Sequence, residues 1–542
     1  LSVGRHGVST RTRGTPRSFA APPIIFVTTR MFPTNVFYAT RPNGLRMREE
    51  LLAFVGKRGT LLEPEAVEYL LAQQDPMVPL ERFLASRQDL PLVVTLQDVL
   101  QAVDLARKAA AHARPTAPAT AVAAAAPMAL APASFHGHAE RASDHSPDVK
   151  ILRDITGRST CEGTLEDFTR YFRHRFTTLS RMLRSRRELG GAQEIAKARR
   201  STREVRFIGM VADVRKTKNG HRILDLEDET DRISALLLAD SPLAGETGVS
   251  DEVLGVVGTV NDRGLVIAQS LVRPDIPVAR PFRGTSEHIR AAFVSDIHVG
   301  SNTFLDEKWA KLTAWMASDD EVARSLRYLV VSGDVVDGIG VYPRQDEDLA
   351  IDDIYGQYED LAKKMAALPD HVTVVMIPGN HDAVRPAEPQ PALPQPIQKL
   401  FDSNLIFAGN PSLVSLHGVK VLAYHGRSMD DFVSSIPGMN YHRPIDAMKE
   451  MLKMRHLAPI YGGKTPIAPE AEDHLIVEEV PDIFVTGHVH AVGVDAYRGV
   501  VLVNSSTWQA QTPYQKMRNI EPMAARMPIV DLATGQAVIK EF

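Results

Sequence analysis

Five short clusters carry the residues that could do chemistry: Asp296-Ile297-His298, Gly333-Asp334-Val335-Val336-Asp337, Gly379-Asn380-His381-Asp382, His425-Gly426 and Gly487-His488-Val489-His490. Each follows a run of apolar or β-branched residues, so each is expected where a buried strand ends and a loop begins. One histidine in such a place is more often a structural residue with its hydrogen bonds met than a ligand. Five polar clusters in succession, four of them beside a glycine that lets backbone come close, are poorly explained by packing, because buried polar groups without partners are costly. Imidazole, carboxylate and carbonyl oxygen without thiolate suit manganese, iron or zinc, whereas magnesium or calcium prefers all-oxygen sites. The chain holds a single cysteine, Cys161, so no disulfide framework or thiolate cluster competes with that reading. Two metals sharing a carboxylate clamp the attacking and leaving oxygens of phosphoryl transfer and lower the pKa of a bound water. The expected reaction class is therefore metal-assisted phosphoester hydrolysis.

The elements that must position these clusters alternate from Ile289 onward. Strands are expected at Ala291–Ser295, Tyr328–Ser332, Val372–Ile377, Val419–Tyr424, Asp482–Thr486 and Val500–Val503. Helices are expected at Leu305–Met316, with Leu305, Trp309, Leu312 and Met316 on one stripe, and at Leu349–Leu368. This predicts a layered α/β domain over 281–542 with the polar clusters at its strand ends. Residues 201–280 read differently. Five short runs, Val205–Val214, Arg222–Glu227, Ile233–Leu238, Val253–Val260 and Leu265–Ala268, fit a small Greek-key barrel of the oligonucleotide-binding type. Its first hairpin carries Arg215, Lys216, Lys218 and Arg222, which could follow a nucleic-acid backbone. Phe207 is the only Phe, Tyr or Trp between 201 and 270, so base stacking on the barrel is poorly supported.

Upstream, Thr164 and Asp167 have the spacing of a capping pair, opening a helix with Phe168, Tyr171, Phe172, Phe176 and Leu179 on one side. Arg170, Arg173, Arg175, Arg181, Arg184, Arg186, Arg187, Lys197, Arg199 and Arg200 crowd into the same helical lead-in, 149–200. A solvated helix face and a phosphate contact are equally compatible with them. Residues 111–148, rich in Ala and Pro, are expected to be a disordered linker, and 47–110 a small module of short helices that docks a partner or caps the fold. The chain opens on Leu1 and residues 1–46 show no sustained periodicity, which suggests an upstream extension of the reading frame with Met31 or Met47 as the start.

A chain of 542 residues, 44% apolar and 24% charged, has a globular composition with room for about three domains. Its net charge of -4 is close to balance, so any nucleic-acid contact must come from local basic surface. The alanine-rich stretch 119–133 is interrupted by Pro127 and Pro132, and no membrane span is expected.

In order, D-x-H, G-D-x-x-D, G-N-H-D, H and G-H-x-H resemble the calcineurin-like metallophosphoesterases. The longer strings VSDIHVGSNTF, SGDVVDGIGVYP, PGNHDAVRPAEPQP, RHLAPIYGGKTPIAP and TGHVH, with EVRFIGMVADVRKTKNGH and LVRPDIP before them, resemble the small subunits of the archaeal family D DNA polymerases. The resemblance covers roughly 150–542, is weaker over 47–110 and is absent over the linker. It implies an α/β fold, a calcineurin-like phosphodiesterase β-sandwich flanked by helices, preceded by an OB-fold barrel and a small N-terminal helical module. It implies two divalent metal ions, manganese first, with magnesium, iron or zinc as alternatives. Asp296, His298, Asp334 and His490 would hold one metal; Asp334 would bridge to a second, completed by Asn380, His425 and His488. His381 would stabilise the transferring phosphoryl group or protonate the leaving oxygen, and Asp382 would orient His381. The implied activity is that of a cytoplasmic archaeal 3′ to 5′ exonuclease, acting on DNA 3′ ends and single strands and proofreading for a large polymerising subunit. Arg344 in VYPRQ and Pro386 in AVRPAE depart from the family pattern without replacing a ligand. A catalytically silent assembly subunit is disfavoured because all seven expected ligands and His381 are present. A stand-alone metallophosphatase is disfavoured by the barrel, the basic hairpin and the EPQP string.

Overall fold

The computed structural model describes residues 140–542, save 202, 279, 403 and 518, together with positions 61–62, 70 and 93–94. In a separate N-terminal unit Leu61–Leu62 (β1) pairs in parallel with Val93–Val94 (β2). The upstream extension, the rest of the expected module at 47–110 and the linker up to 139 lie outside the described residues.

The second unit contains strands β3 (Val149–Arg153), β4 (Glu204–Lys216), β5 (Arg222–Glu227), β6 (Arg232–Leu237), β7 (Val253–Val260), β8 (Val266–Val272), β9 (Arg290–Val294) and β10 (Leu326–Ser332). It continues with β11 (Thr373–Ile377), β12 (Leu405–Phe407), β13 (Ser412–Leu416), β14 (Val419–Ala423), β15 (Ile483–Thr486), β16 (Val492–Tyr497), β17 (Val500–Ser505), β18 (Arg526–Asp531) and β19 (Ala537–Glu541). Its principal helices are α1 (Leu165–Arg184), α2 (Asp306–Met316), α3 (Ile354–Ala366) and α4 (Pro444–Met454).

Two six-stranded sheets, ordered β12-β11-β10-β9-β18-β19 and β16-β17-β15-β14-β13-β3, stack face to face. Both faces of each sheet are apolar, because side chains alternate across a strand and each face has something to cover it. Along β10, Tyr328 and Val330 join Val421, Val485 and Val503 between the sheets. Leu329 and Val331 turn the other way, onto Trp309 and Leu312 of α2 and Leu361 and Met365 of α3. On the far side Leu422, Phe484 and Leu502 pack against Met448 and Met451 of α4. The order of layers is helix, sheet, sheet, helix. Strands β9 to β12 run parallel, as do β14 and β15, so the loops bearing the polar clusters leave their sheets at carboxyl ends.

Several boundaries differ from the sequence pattern for identifiable reasons. The helix expected from Leu349 starts at Ile354, because Asp353 caps it by accepting the Gly356 N–H, while Ala350 and Ile351 donate to the Gly300 carbonyl. The end of the expected linker is built into the fold: Ala142 is fully buried and the Asp148 N–H donates to the Tyr328 hydroxyl at 2.9 Å. The lead-in then opens not on a helix but on β3, which extends the second sheet by pairing with β13. Residues 204–272 form a closed barrel, β4-β5-β6-β8-β7, filled by Phe207, Val211, Leu224, Leu226, Val256 and Val266.

Helix α1 begins with the capping box between Thr164 and Asp167 and packs Leu179 and Leu183 against Ile208 and Val253 of the barrel and Ile476 of the sandwich. Its basic run is partly interior. Arg175 is fully buried, with Nε 2.7 Å from the Asp473 carboxylate and Nη1 donating to the Pro459 carbonyl at 2.6 Å. His456 Nε2 lies 2.8 Å from the same carboxylate and the Tyr171 hydroxyl donates to it at 2.9 Å. Burial opposes charge on both Asp473 and Arg175, but mutual attraction wins, holding Asp473 well below and Arg175 above their ordinary ranges, whereas burial and the nearby guanidinium lower His456. Asp473→Ala strands a buried guanidinium and is expected to destabilise the sandwich by about 3–5 kcal/mol, read from the urea midpoint of the full chain. A loss below about 1 kcal/mol would mean that water reaches Arg175. Arg170, Arg173 and Arg199 pair with Asp167, Glu229 and Asp231, so these members of the run are also engaged within the chain.

Candidate metal centre

The loops that follow β9, β10, β11, β14 and β15 bring the sequence clusters together. Side-chain atoms of Asp296, His298 and His490 lie within 4.8 Å of one another, and so do those of Asp334, His425 and His488. Asn380 joins the second group through its Oδ1, 3.1 Å from His425 Nε2. His381 stands between the groups: its ring centroid is 4.7 Å from that of His298 and its Nε2 is 3.9 Å from Asp334 Oδ2.

The backbone accepts strain to do this. Asp296, His298, Asp334, His488 and His490 have φ of 50°, 55°, 50°, 70° and 54°, a left-handed region that residues with a Cβ rarely adopt. Such strain costs on the order of 1 kcal/mol or more per residue and persists only where surrounding structure over-determines it. Two glycines make the loops close enough. A Cβ at Gly379 would lie 2.2 Å from Asp334 Oδ1, and one at Gly487 would lie 2.5 Å from Asp296 Oδ2.

Hydrogen bonds set the ring orientations. His425 Nδ1 lies 2.9 Å from the Ser332 carbonyl, which can only accept, so Nδ1 carries a proton and Nε2 faces inward. There it meets two acceptors, Asn380 Oδ1 and, at 3.2 Å, Asp334 Oδ2. Burial opposes a charge on this ring, but the Asp334 carboxylate outweighs it and raises His425 to about 10. The same pairing keeps Asp334 ionised despite its burial. His298 Nδ1 lies 3.1 Å from Asp337 Oδ1, and its Nε2 faces His490 Nε2 at 3.2 Å. Burial lowers His298, so its ring favours the neutral form that a metal ligand needs.

These groups fit divalent cations. Asp296 Oδ1 is buried without a hydrogen-bond partner, 3.5 Å from His490 Nε2, where a cation would satisfy both. Nitrogen and oxygen donors without sulfur match the borderline metals.

One role is corrected. Asp382 does not hold the His381 ring: its Oδ2 accepts the N–H groups of Gly379 at 2.7 Å and Val335 at 3.3 Å, and its Oδ1 accepts the Tyr358 hydroxyl at 3.1 Å. It braces the loop instead, and burial together with repulsion from Asp334 raises it to about 6. The Asp337 carbonyl takes the His381 Nδ1–H, at 2.7 Å. Asp337 therefore touches two site histidines, and its spacing in G-D-x-x-D was the available signal for it. Gln345 and Gln509 donate to the Asp337 carboxylate at 2.9 and 3.1 Å, and the Gln515 amide nitrogen lies 2.7 Å from His490 Nδ1. Nothing in the sequence pattern marked these three glutamines.

The EPQP string lies beneath the site. Gln390 Nε2 donates to the Gly379 carbonyl, and Asn410, which donates to Gln390, accepts the His425 N–H at 2.9 Å. Glu388, fully buried and accepting the Tyr424 hydroxyl at 2.8 Å, is raised by burial to about 7. Because its folded pKa exceeds the ordinary carboxylate value, its contribution is complete below about pH 4.5 and is lost as pH rises through 7. Metal-stripped Glu388→Gln is accordingly expected to lose less thermal stability than wild type between pH 5 and 8; parallel melting curves would refute this.

The basic hairpin is less available than its composition suggested. Arg215 pairs with Asp213 and Asp225, and Arg222 donates to the carbonyls of Ala244 and Glu246, leaving Lys216 and Lys218 as the exposed, unpaired members of that quartet. The physical reason is local: acidic and carbonyl groups on the barrel itself reach the guanidinium forks first.

A family model for the B-subunit of DNA polymerases alpha and epsilon matches residues 291–492. The DNA polymerase II small subunit of Archaeoglobus fulgidus is 43% identical over 412 residues, covering 74% of this chain and 83% of that protein. The protein of the same name from Halobacterium salinarum is 38% identical over 496 residues, 90% of this chain and 97% of its own length. Among solved structures, an archaeal phosphodiesterase overlaps 47% of this chain and 100% of its own at 12% identity and a TM-score of 0.25.

Proposed function

Since this chain belongs to the family of archaeal DNA polymerase II small subunits, we propose that it is a two-metal 3′ to 5′ exonuclease that trims DNA ends for a large polymerising subunit. In this reading the sandwich is of the calcineurin-like type, the barrel is an OB-fold, the working compartment is the cytoplasm, and manganese is the first choice of metal. The observation that carries it is the convergence of two nitrogen–oxygen donor groups on either side of His381, with the Asp334 carboxylate reaching both His425 and His381.

Asp296, His298 and His490 would hold one ion and Asn380, His425 and His488 the other, with Asp334 shared. When bound, such ions neutralise a phosphodiester and provide a nucleophile at neutral pH. The chain's own part is positional. Asp337 fixes the His381 ring through Nδ1–H, so that Nε2, when the ring carries its second proton, would donate to the phosphoryl oxygen or to the departing 3′-oxygen. Asp382 and Gln390 brace the backbone that carries Asn380 and His381, and the Ser332 carbonyl keeps Nε2 of His425 inward.

The test is digestion of 3′-mismatched and matched DNA, with the metal varied and the large subunit present or absent. Metal-dependent release of 3′ nucleotides, faster at a mismatch, is expected. Hydrolysis confined to small phosphoesters, with single-stranded DNA ignored, would overturn the proposal.

A further inference from the structure

We infer that the loop 338–343 seats the unpaired base of the 3′-terminal nucleotide, an inference that rests on the DNA reading above. This loop leaves Asp337, whose carbonyl holds His381, and its backbone lies against that residue: a Cβ at Gly338 would sit 2.3 Å from the His381 carbonyl oxygen. Ile339 is 49% and Val341 39% exposed, and the half-buried Tyr342 has its ring centroid 6.4 Å from that of His381.

The exposure is not slackness. The buried Gln345 donates from Nε2 to the carbonyl and carboxylate of Asp337 and accepts the Val341 N–H at 2.8 Å. Gln357 on α3 accepts the Gly338 N–H at 2.8 Å and donates to its carbonyl at 3.1 Å, and the Tyr342 hydroxyl donates to Asp348 at 3.2 Å. A loop pinned at both ends thus presents two branched apolar side chains to water next to the reacting centre, with nothing among the described residues to cover them. Held rigidly beside the donor groups, this small apolar surface is placed to be covered by a bound ligand.

Charge decides which part of a DNA strand would lie there. Asp346, Glu347 and Asp348 follow directly, and the one cation among them, Arg344, is engaged by Glu347 at 2.8 and 2.7 Å. A phosphate would be repelled on this side, whereas an uncharged, planar base would cover Ile339 and Val341. The phosphodiester would then lie over the metal ligands and the base over the loop. Such a contact favours an unpaired base, which is not held by a partner strand and can turn out of the stack to lie on the loop.

The full chain is assayed on a 3′-single-stranded oligonucleotide, on the same strand ending in an abasic residue, and on bis(p-nitrophenyl) phosphate, which has no base. The abasic end is expected to raise the wild-type KM about tenfold. The double variant I339A/V341A is expected to show that raised KM on the normal strand, to gain no further loss from the abasic end, and to drop in its DNA-to-ester kcat/KM ratio by about tenfold. The conservative pair I339V/V341I should restore it. An abasic end that costs wild type less than twofold would overturn the inference, as would a variant that loses strand and ester equally, since the loop would then only build the site. Wild type that cuts the ester but no strand fails the DNA reading itself, an outcome distinct from either.

Discussion

Asp334→Asn is expected to lower phosphodiester hydrolysis at least a thousandfold, on the order of a lost metal-ion contribution, and to reduce the bound divalent metal from two ions per chain to one or fewer. The carboxylate has two separate duties. Its Oδ1 accepts the His381 N–H at 2.8 Å, which anchors the loop after β11, while its Oδ2 is 3.2 Å from His425 Nε2 and 3.9 Å from His381 Nε2. An amide has the same shape and can still accept one hydrogen bond, so the loop should survive; it lacks the charge that two cations need between them. Elemental analysis after dialysis, run beside the hydrolysis assay, checks both halves. Two retained ions with activity within tenfold of wild type would remove Asp334 from the centre of the mechanism.

For His381→Ala the expected outcome is a different split: turnover falls by about a hundred- to ten-thousandfold, as for loss of a general acid, while two metals remain bound. The reason lies in what each face of the ring meets. Nδ1 is committed to the Asp337 carbonyl, which fixes the ring's orientation, and Nε2, the atom that would carry the transferable proton of the doubly protonated ring, points between the two donor groups without being needed to complete either. A competing geometry is present, because His298, Asp337 and His381 also lie close enough together to hold an ion. If that were the working site, His381→Ala would lose metal in proportion to activity. The ratio of the two losses therefore separates a proton donor from a ligand, and Asp337→Asn, which leaves the Asp337 carbonyl in place, should disturb His298 more than His381.

Much of the site was legible in one dimension. A ligand has to be a particular residue type, a strand end has to follow an apolar run, and glycine has to stand where an added Cβ would fall within 2.5 Å of a carboxylate oxygen; all three leave marks within a dozen residues of each other. The clusters holding Asp296, His298, Asp334, Asn380, His425, His488 and His490 could thus be singled out, their individual assignment as ligands coming from the family resemblance, and the Thr164–Asp167 capping box could be named from a spacing of three.

Tertiary structure alone decided which neighbours do the holding. Asp382 is next to His381 in the chain, yet the strand end turns its carboxyl into the backbone of Gly379 and Val335, and a carbonyl from 44 residues away holds the ring instead. Arg175 looks like its basic companions until Asp473, 298 residues away, is seen buried against it. Composition determines which side chains can bind a metal or carry a charge, because that is a property of each residue. Whether a charge faces solvent or a buried partner, and which oxygen meets which imidazole, depends on chain segments brought together by packing two sheets, and no local pattern encodes those distances.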